Sequence, residues 1–210
     1  FLNKSKKKIV LQIFLMFTDK DKTKLYWDLQ YEDKKTGWDV GHVSTPLKEY
    51  IDQITDKNLK VLIPGAGNAY EAEYMHLQGF KNVYVLDISG ETIKKFTNRF
   101  PYFPKKYIVC DDFFKHKGEY DLILEQTFFC AIDRSDRKKY SDKVYSLLKE
   151  NGRLAGVLFN HEFEKTEPPF GGTEKEYHDY FDSGFDYIVF ETSYNSIKPR
   201  AGREIFMILV

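Results

Sequence analysis

From Leu59 to the C-terminus, short apolar runs rich in β-branched and aromatic residues alternate with stretches whose apolar positions recur every three or four residues. These are the periods of buried strands and amphipathic helices. The runs predict strands at Lys60–Pro64, Val83–Asp87, Tyr107–Cys110, Asp121–Glu125, Arg153–Phe159, Tyr187–Glu191 and Ile205–Val210. Between them, Tyr70–Gln78 reads as a helix stopped by Gly79. Ser89 caps a second helix, with Ile93, Phe96 and Phe100 at helical spacing and Ile88 and Ile93 as its staple. A third runs from about Ser135 to Lys149, carrying Tyr140, Val144, Leu147 and Leu148 on one face and Gly152 beyond its end. Such alternation predicts an α/β fold: a doubly wound, Rossmann-like sheet of seven strands, mostly parallel. Only the Gly- and Pro-bearing loop Thr192–Glu204 separates the last two strands. It has no room for a crossover helix, so the seventh strand is expected to run antiparallel, as a hairpin partner of the sixth.

The N-terminal part is patterned differently. Residues 1–15 join a basic run, Lys4 and Lys6 to Lys8, to the apolar stretch Ile9–Leu15. The stretch is interrupted by Gln12, lacks a small-residue cleavage site and is too short for a bilayer, so neither secretion nor anchoring is expected. Residues 1–15 are read as an extension, with Met16 as an alternative start, and 16–210 as one domain whose segment 20–58 forms a lid.

Composition narrows the function. Lys plus Arg and Asp plus Glu both number 32, leaving no net field to hold a polyanion, and nucleic acid is not an expected partner. Cys110 and Cys130 are the only cysteines, too few for a disulfide framework, so a reducing, cytoplasmic setting is expected. The histidines, His42, His76, His116, His161 and His178, show no ligand spacing and no metal is expected. Aromatics are plentiful, with 18 Phe and 15 Tyr; most must pack internally, and a surplus can line a pocket for a flat or cationic ligand.

Candidate chemistry begins where the first strand ends, in Val61-Leu62-Ile63-Pro64-Gly65-Ala66-Gly67-Asn68, ahead of a helix. Gly65 and Gly67 let backbone approach a ligand there, or merely permit a tight turn. Asp87, at the end of the second strand, is placed to accept from both ribose hydroxyls, or else to cap a helix. Asp111 and Asp112 follow the third strand, where an acceptor suits the exocyclic amine of adenine and Phe113 can cover the ring; a solvated turn is the alternative. Glycine turn, acid and acid after successive strands describe a nucleoside site. A nicotinamide- or nucleotide-dependent oxidoreductase and a catalytically idle nucleoside module share these features, but the former predicts a third glycine where Tyr70 stands and a proton donor.

With its antiparallel seventh strand, this constellation resembles the class I S-adenosylmethionine-dependent methyltransferases. Trp27-Asp28-Leu29-Gln30-Tyr31, Thr36-Gly37-Trp38-Asp39-Val40-Gly41-His42 and Thr45-Pro46-Leu47 resemble the N-terminal region of the thiopurine S-methyltransferase family, closest to its halide and thiol methyltransferase branch. Asp121-Leu122-Ile123, Phe128-Phe129-Cys130-Ala131-Ile132, Leu147-Leu148-Lys149, Asn151-Gly152 and Pro168-Pro169-Phe170 follow in the branch's order. The resemblance implies S-adenosylmethionine as cofactor and S-adenosylhomocysteine as product. Trp27 and Trp38 would approach the methionine part, Gly65 would lie under the nucleoside, Asp87 would hold the ribose, and Asp112 with Phe113 would meet the adenine. Two positions depart from the branch, Gln126 where relatives carry Tyr or Arg and Tyr31 where a second tryptophan occurs.

Methyl transfer from a sulfonium is an in-line displacement that needs alignment and a dry site more than a strong base. The chain shows no Ser/His/Asp or Cys/His set, and no catalytic residue is assigned. The expected acceptor is a small soft nucleophile: thiol, sulfide, halide or a thiopurine-like compound. Tyr26, Phe128, Phe129 and Phe170 are its expected walls, although paired aromatics such as Phe128 and Phe129 are commonly core. Cys130 is expected to be packed, and a monomer acting on a small molecule is expected.

Overall fold

The computed structural model describes residues 19–210, with side chains from Thr23 onward; the extension read at residues 1–15 and the start read at Met16 lie outside the described residues. In chain order the elements are α1 (Asp19–Glu32), α2 (Thr45–Gln53), β1 (Lys60–Pro64), α3 (Tyr70–Leu77), β2 (Asn82–Asp87), α4 (Gly90–Arg99), β3 (Ile108–Cys110), β4 (Tyr120–Gln126), α5 (Arg137–Leu147), β5 (Leu148–Phe159), α6 (Glu174–Phe181), β6 (Tyr187–Thr192) and β7 (Glu204–Leu209). The strands form one sheet in the order β3-β2-β1-β4-β5-β7-β6. β7 runs antiparallel to both β5 and β6, and the pairings from β3 across to β5 are parallel. The expected seven-stranded, doubly wound sheet with an antiparallel last strand is therefore present.

Both faces are covered, as a parallel sheet requires. The alternation along β1 sends Val61 and Ile63 to a core shared with Leu47 and Ile51 of α2, Ala72 and Met75 of α3 and Phe96 of α4. Leu62 points to the other face, where Tyr140, Val144 and Leu147 of α5 meet Tyr177 and Phe181 of α6. Between β1 and β4 the strand order reverses, and there the carboxyl ends of the strands diverge to open a crevice.

Segment 20–58, expected to form a lid, carries two helices, α1 and α2. α1 is dense in Asp and Lys and carries no continuous apolar stripe. It docks on the start of α4 through polar contacts: Asp28 Oδ1 accepts from the Ser89 hydroxyl at 2.6 Å and from the Glu91 N–H at 3.3 Å, and Lys24, one turn earlier in the same helix, pairs with Asp28 at 2.5 Å. Hydrophobic periodicity does not register such a helix. α2 has Pro46 in its first turn and buries Leu47, Tyr50 and Ile51, a start-and-stripe signal that the pattern did carry. Ser89 caps α4 as expected, accepting the Thr92 N–H at 3.2 Å, and Thr173 caps α6 through the Glu176 N–H. β5 begins at Leu148 rather than Arg153, so α5 ends at Leu147.

Phe129, expected to wall the acceptor pocket, belongs to the core instead. It is 1% exposed, and its ring lies 5.1 Å from Tyr140, 5.6 Å from Tyr177 and 5.8 Å from Phe181. The turn after β4 sends Phe128 and Phe129 in different directions, and only Phe128 reaches the crevice. Replacing Phe129 with Ala is expected to destabilise the fold by about 3–5 kcal/mol, the usual range for emptying a buried aromatic site, as read from denaturant unfolding.

Candidate active site

At the crevice β1 gives way to a turn in which Gly65 and Gly67 both adopt left-handed conformations, φ +56° and +54°. A Cβ on Gly65 would overlap the Phe128 ring, and one on Gly67 would lie 2.5 Å from the Tyr31 hydroxyl. Bare backbone therefore faces the cavity there, and the conformation is one that glycine adopts without strain. Asp87, at the end of β2, fastens the turn: Oδ2 accepts from the Gly67 N–H and Oδ1 from the Ser89 N–H, each at 2.8 Å. Burial pushes its carboxyl above the ordinary range, and the two N–H donors oppose that shift.

The crevice opens into a cavity of about 630 Å³, within the size range of small-molecule sites. It is lined by Trp27, Tyr31, Trp38, Gly65, Gly67, Asp87, Asp112, Phe113 and Gln126, the residues expected on the cofactor side, and by Tyr26, Phe128 and Phe170 of the expected acceptor walls. Trp38 packs edge-on against Trp27 at 5.6 Å and Tyr31 at 5.9 Å, and its indole N–H donates to the Tyr31 hydroxyl at 3.3 Å. Burial, and after it the Asp87 carboxylate, raises the Tyr31 phenol, which therefore stays protonated. Gln126 Oε1 accepts from the Ser44 hydroxyl at 2.7 Å, and the Ser44 N–H donates to buried Glu71 at 3.3 Å. Asp112 Oδ1 accepts the Phe114 N–H at 2.9 Å, while the Phe113 ring stands 5.1 Å from Phe128.

Several residues that organise the site escaped the sequence reading. Glu71 follows an unremarkable helix start, and Arg200 lies far along the chain; its guanidinium donates to the Trp38 carbonyl at 2.7 Å and pairs with buried Glu204 at 3.3 Å. Glu125 is fully buried at the end of β4. Its Oε1 accepts the N–H groups of Phe128 at 2.8 Å and Phe129 at 2.9 Å, and its Oε2 accepts the Tyr140 hydroxyl at 2.6 Å. These bonds hold the turn that contains Thr127, a β-branched residue at φ +56°, a conformation that needs outside support. A single acid in an apolar strand is the only signal such a residue leaves in sequence.

No cluster of His, Cys, Asp and Glu able to hold a metal occurs among the described residues, and no described helix is long and apolar enough to cross a membrane. Both cysteines are free thiols. Cys130 lines the cavity, but burial raises its thiol to about 12, and the thiol donates to the Thr127 carbonyl at 3.2 Å. It is packed rather than poised as a nucleophile.

A seven-stranded sheet in this order, with an antiparallel β7 and a glycine turn beside an acidic β2 end, has the architecture of the class I methyltransferases. The crystal structure of 1,6-didemethyltoxoflavin-N1-methyltransferase from Burkholderia thailandensis, solved with bound 1,6-didemethyltoxoflavin and S-adenosylhomocysteine, superposes with a TM-score of 0.69 at 16% identity, covering 100% of this chain and 90% of that one. By sequence, the "probable thiol methyltransferase 2" of Arabidopsis thaliana is 28% identical over 184 residues, 85% of this chain and 81% of the relative. "Thiocyanate methyltransferase 1" of Brassica oleracea is 29% identical over the same shares. The model of the thiopurine S-methyltransferase family matches residues 22–206. The chain belongs to that family and is an S-adenosylmethionine-dependent methyltransferase. The oxidoreductase alternative, already short of a third glycine, is set aside by this assignment.

The Glu125 environment yields a pH prediction. Desolvation raises its carboxyl from 4.5 to about 7, against the hydrogen bonds from Tyr140, Phe129 and Phe128. A folded-state value above the unfolded one means that its contribution is fully present below about pH 4.5 and is lost as pH rises through about 7. Relative to Glu125→Gln, which keeps an acceptor for both N–H groups and does not titrate, the wild type is expected to lose on the order of 3 kcal/mol across that window. Denaturant unfolding of both proteins at several pH values measures the difference.

Proposed function

We propose that the enzyme methylates a soft nucleophile, a thiol or thiopurine-like compound first, with hydrosulfide and halide as smaller members of the same class. The observation that carries this reading is the wall formed by Tyr26, Phe128, Ile132, Pro169 and Phe170 in the same cavity as the glycine turn. This surface is suited to a poorly hydrated, polarisable nucleophile. Among the described residues it offers no histidine held by a carboxylate: His42, the one described histidine lining the cavity, is exposed and has Nδ1 2.7 Å from the Val43 carbonyl. The His178–Asp182 pair lies at the C-terminal end of α6 and is absent from the cavity lining. The relatives named for thiol and thiocyanate methylation support the same acceptor class.

The residues fit the cofactor. Backbone stripped of Cβ atoms at Gly65 and Gly67, a buried carboxylate at Asp87 with lone pairs beyond its two N–H bonds, and an edge-packed Trp27–Trp38–Tyr31 cluster suit a nucleoside carrying a cationic sulfonium. When bound, S-adenosylmethionine supplies an electrophilic methyl group to the incoming sulfur. Asp87 would hold the ribose hydroxyls, and Asp112 with Phe113 the adenine. Trp27, Tyr31, Trp38 and Gln126 would surround the methionine part. Trp38 covers the site and excludes water, anchored through its carbonyl to Arg200. Phe128, braced by Glu125, fixes the floor against Gly65. These residues align and desolvate the reactants, which is most of what an in-line displacement asks of a protein.

Asp87→Ala is expected to weaken S-adenosylmethionine binding by about 1.5–3 kcal/mol, the scale of hydrogen bonds to a charged group, as measured by calorimetry on the folded variant. For the acceptor, the rate at subsaturating thiol is expected to rise with pH toward the pKa of the thiol itself and to shift when a thiol of different pKa is used. A profile pinned to one histidine-like value for every thiol, and lost on mutation of His42, would remove the base-free reading. Methylation of catechols or amines with none of any thiol, sulfide or halide would overturn the acceptor class.

A further inference from the structure

Arg137 opens α5 and is fully buried, with no exposed side-chain surface. Its Nη2 donates to the carbonyls of Phe170 at 3.2 Å and Gly171 at 2.8 Å. Nη1 pairs with Glu176 of α6 at 3.0 Å, and the guanidinium lies 4.6 Å over the Phe129 ring. Its Nε has no hydrogen-bond partner among the described residues. A buried cation with one donor unpaired is a poor source of stability, because apolar packing of the same volume does as well without the desolvation cost. What Arg137 achieves is placement. Its planar fork reaches two consecutive carbonyls and a carboxylate at once, a geometry that lysine cannot reproduce.

Those two carbonyls belong to the segment that presents Pro168, Pro169 and Phe170 to the cavity. The Phe170 N–H donates to the Cys130 carbonyl at 2.7 Å, so the peptide groups around Phe170 are held from both sides. Arg134 pairs with Glu162 and, at 3.3 Å, with Glu176, both at more exposed positions. We infer that Arg137 is a positioning residue for the acceptor, fixing the Phe170 wall and so setting acceptor affinity rather than cofactor affinity. The inference rests on Phe170 facing the acceptor, as in the function proposed above.

Arg137→Lys tests it, alongside Phe170→Ala and the double variant, with thiophenol as acceptor and S-adenosylhomocysteine for binding. Loss of the fork is expected to raise the thiophenol KM about tenfold, while kcat and the S-adenosylhomocysteine Kd stay within about twofold. The double variant is expected to show the KM of Phe170→Ala alone, since one residue acts through the other. Hydrogen exchange read without any acceptor is expected to accelerate in peptides spanning residues 166–171 and to stay unchanged in the sheet. Additive KM effects, a Kd that worsens in step with KM, or unchanged exchange at 166–171 would each overturn the inference. If Arg137→Lys does not fold, Glu176→Gln removes the carboxylate that orients the guanidinium. It must then shift KM and exchange in the same direction, and an unchanged KM and exchange would overturn the inference. A wild-type enzyme inactive on every thiol would instead overturn the acceptor reading, and the exchange measurement would still decide what Arg137 holds.

Discussion

A single buried carboxylate joins the parts of this enzyme that must meet. Asp87 accepts from Gly67 on one side and from Ser89 on the other, tying the turn after β1 to the end of β2 and the start of α4. Ser89 passes the connection on, donating to Asp28 of α1. Removing Asp87 from water is costly, and the N–H donors offset that cost only while the glycine turn keeps its left-handed conformation. Gly65 and Gly67 therefore serve two ends at once. Gly67 gives its N–H to Asp87, and both glycines keep the turn free of side-chain bulk where Phe128 and Tyr31 already press close.

The opposite half of the cavity has its own buried acid. Glu125 collects three hydrogen bonds at the end of β4 and stabilises a turn with a β-branched residue at positive φ. That turn divides neighbouring aromatics between two tasks, Phe128 in the cavity wall and Phe129 in the core. Beyond it, Arg137 connects the core around Phe129 to the Phe170 segment. The Asp87 side and the Glu125 side meet where Phe128 lies against Gly65, so the shape of the cavity depends on both buried carboxylates.

Trp38, which lines the cavity, belongs to neither half alone. Trp38 packs on Trp27 and Tyr31 from its own N-terminal region, yet its carbonyl is held by Arg200 from the loop between β6 and β7. The antiparallel β7, which separates this sheet from an all-parallel dinucleotide fold, thus has a consequence at the site. It brings a C-terminal arginine to an N-terminal tryptophan that lines the cavity.

Local chemistry was enough to read much of this. Strand and helix periods, the glycine turn, Asp87 at a strand end and the short connection before β7 each follow from a few adjacent residues, because backbone sterics and side-chain alternation act at that range. The strand-end pattern marked Asp112, and the family resemblance, not local chemistry, marked Trp27, Trp38 and Gln126; all four line the cavity. Only the tertiary structure could separate Phe128 from Phe129, since adjacent aromatics differ by which way a turn sends them and not by composition. It alone recruited Glu71, Glu125, Arg137 and Arg200, whose partners are distant in sequence or are backbone groups that leave no residue-type signal. α1 was invisible for a related reason: a helix docked by Asp28 and Ser89 rather than by an apolar stripe has no period to detect. Patterning determines which surfaces must be buried, whereas the pairing of buried charges depends on which chain segments the closed sheet brings within hydrogen-bond reach.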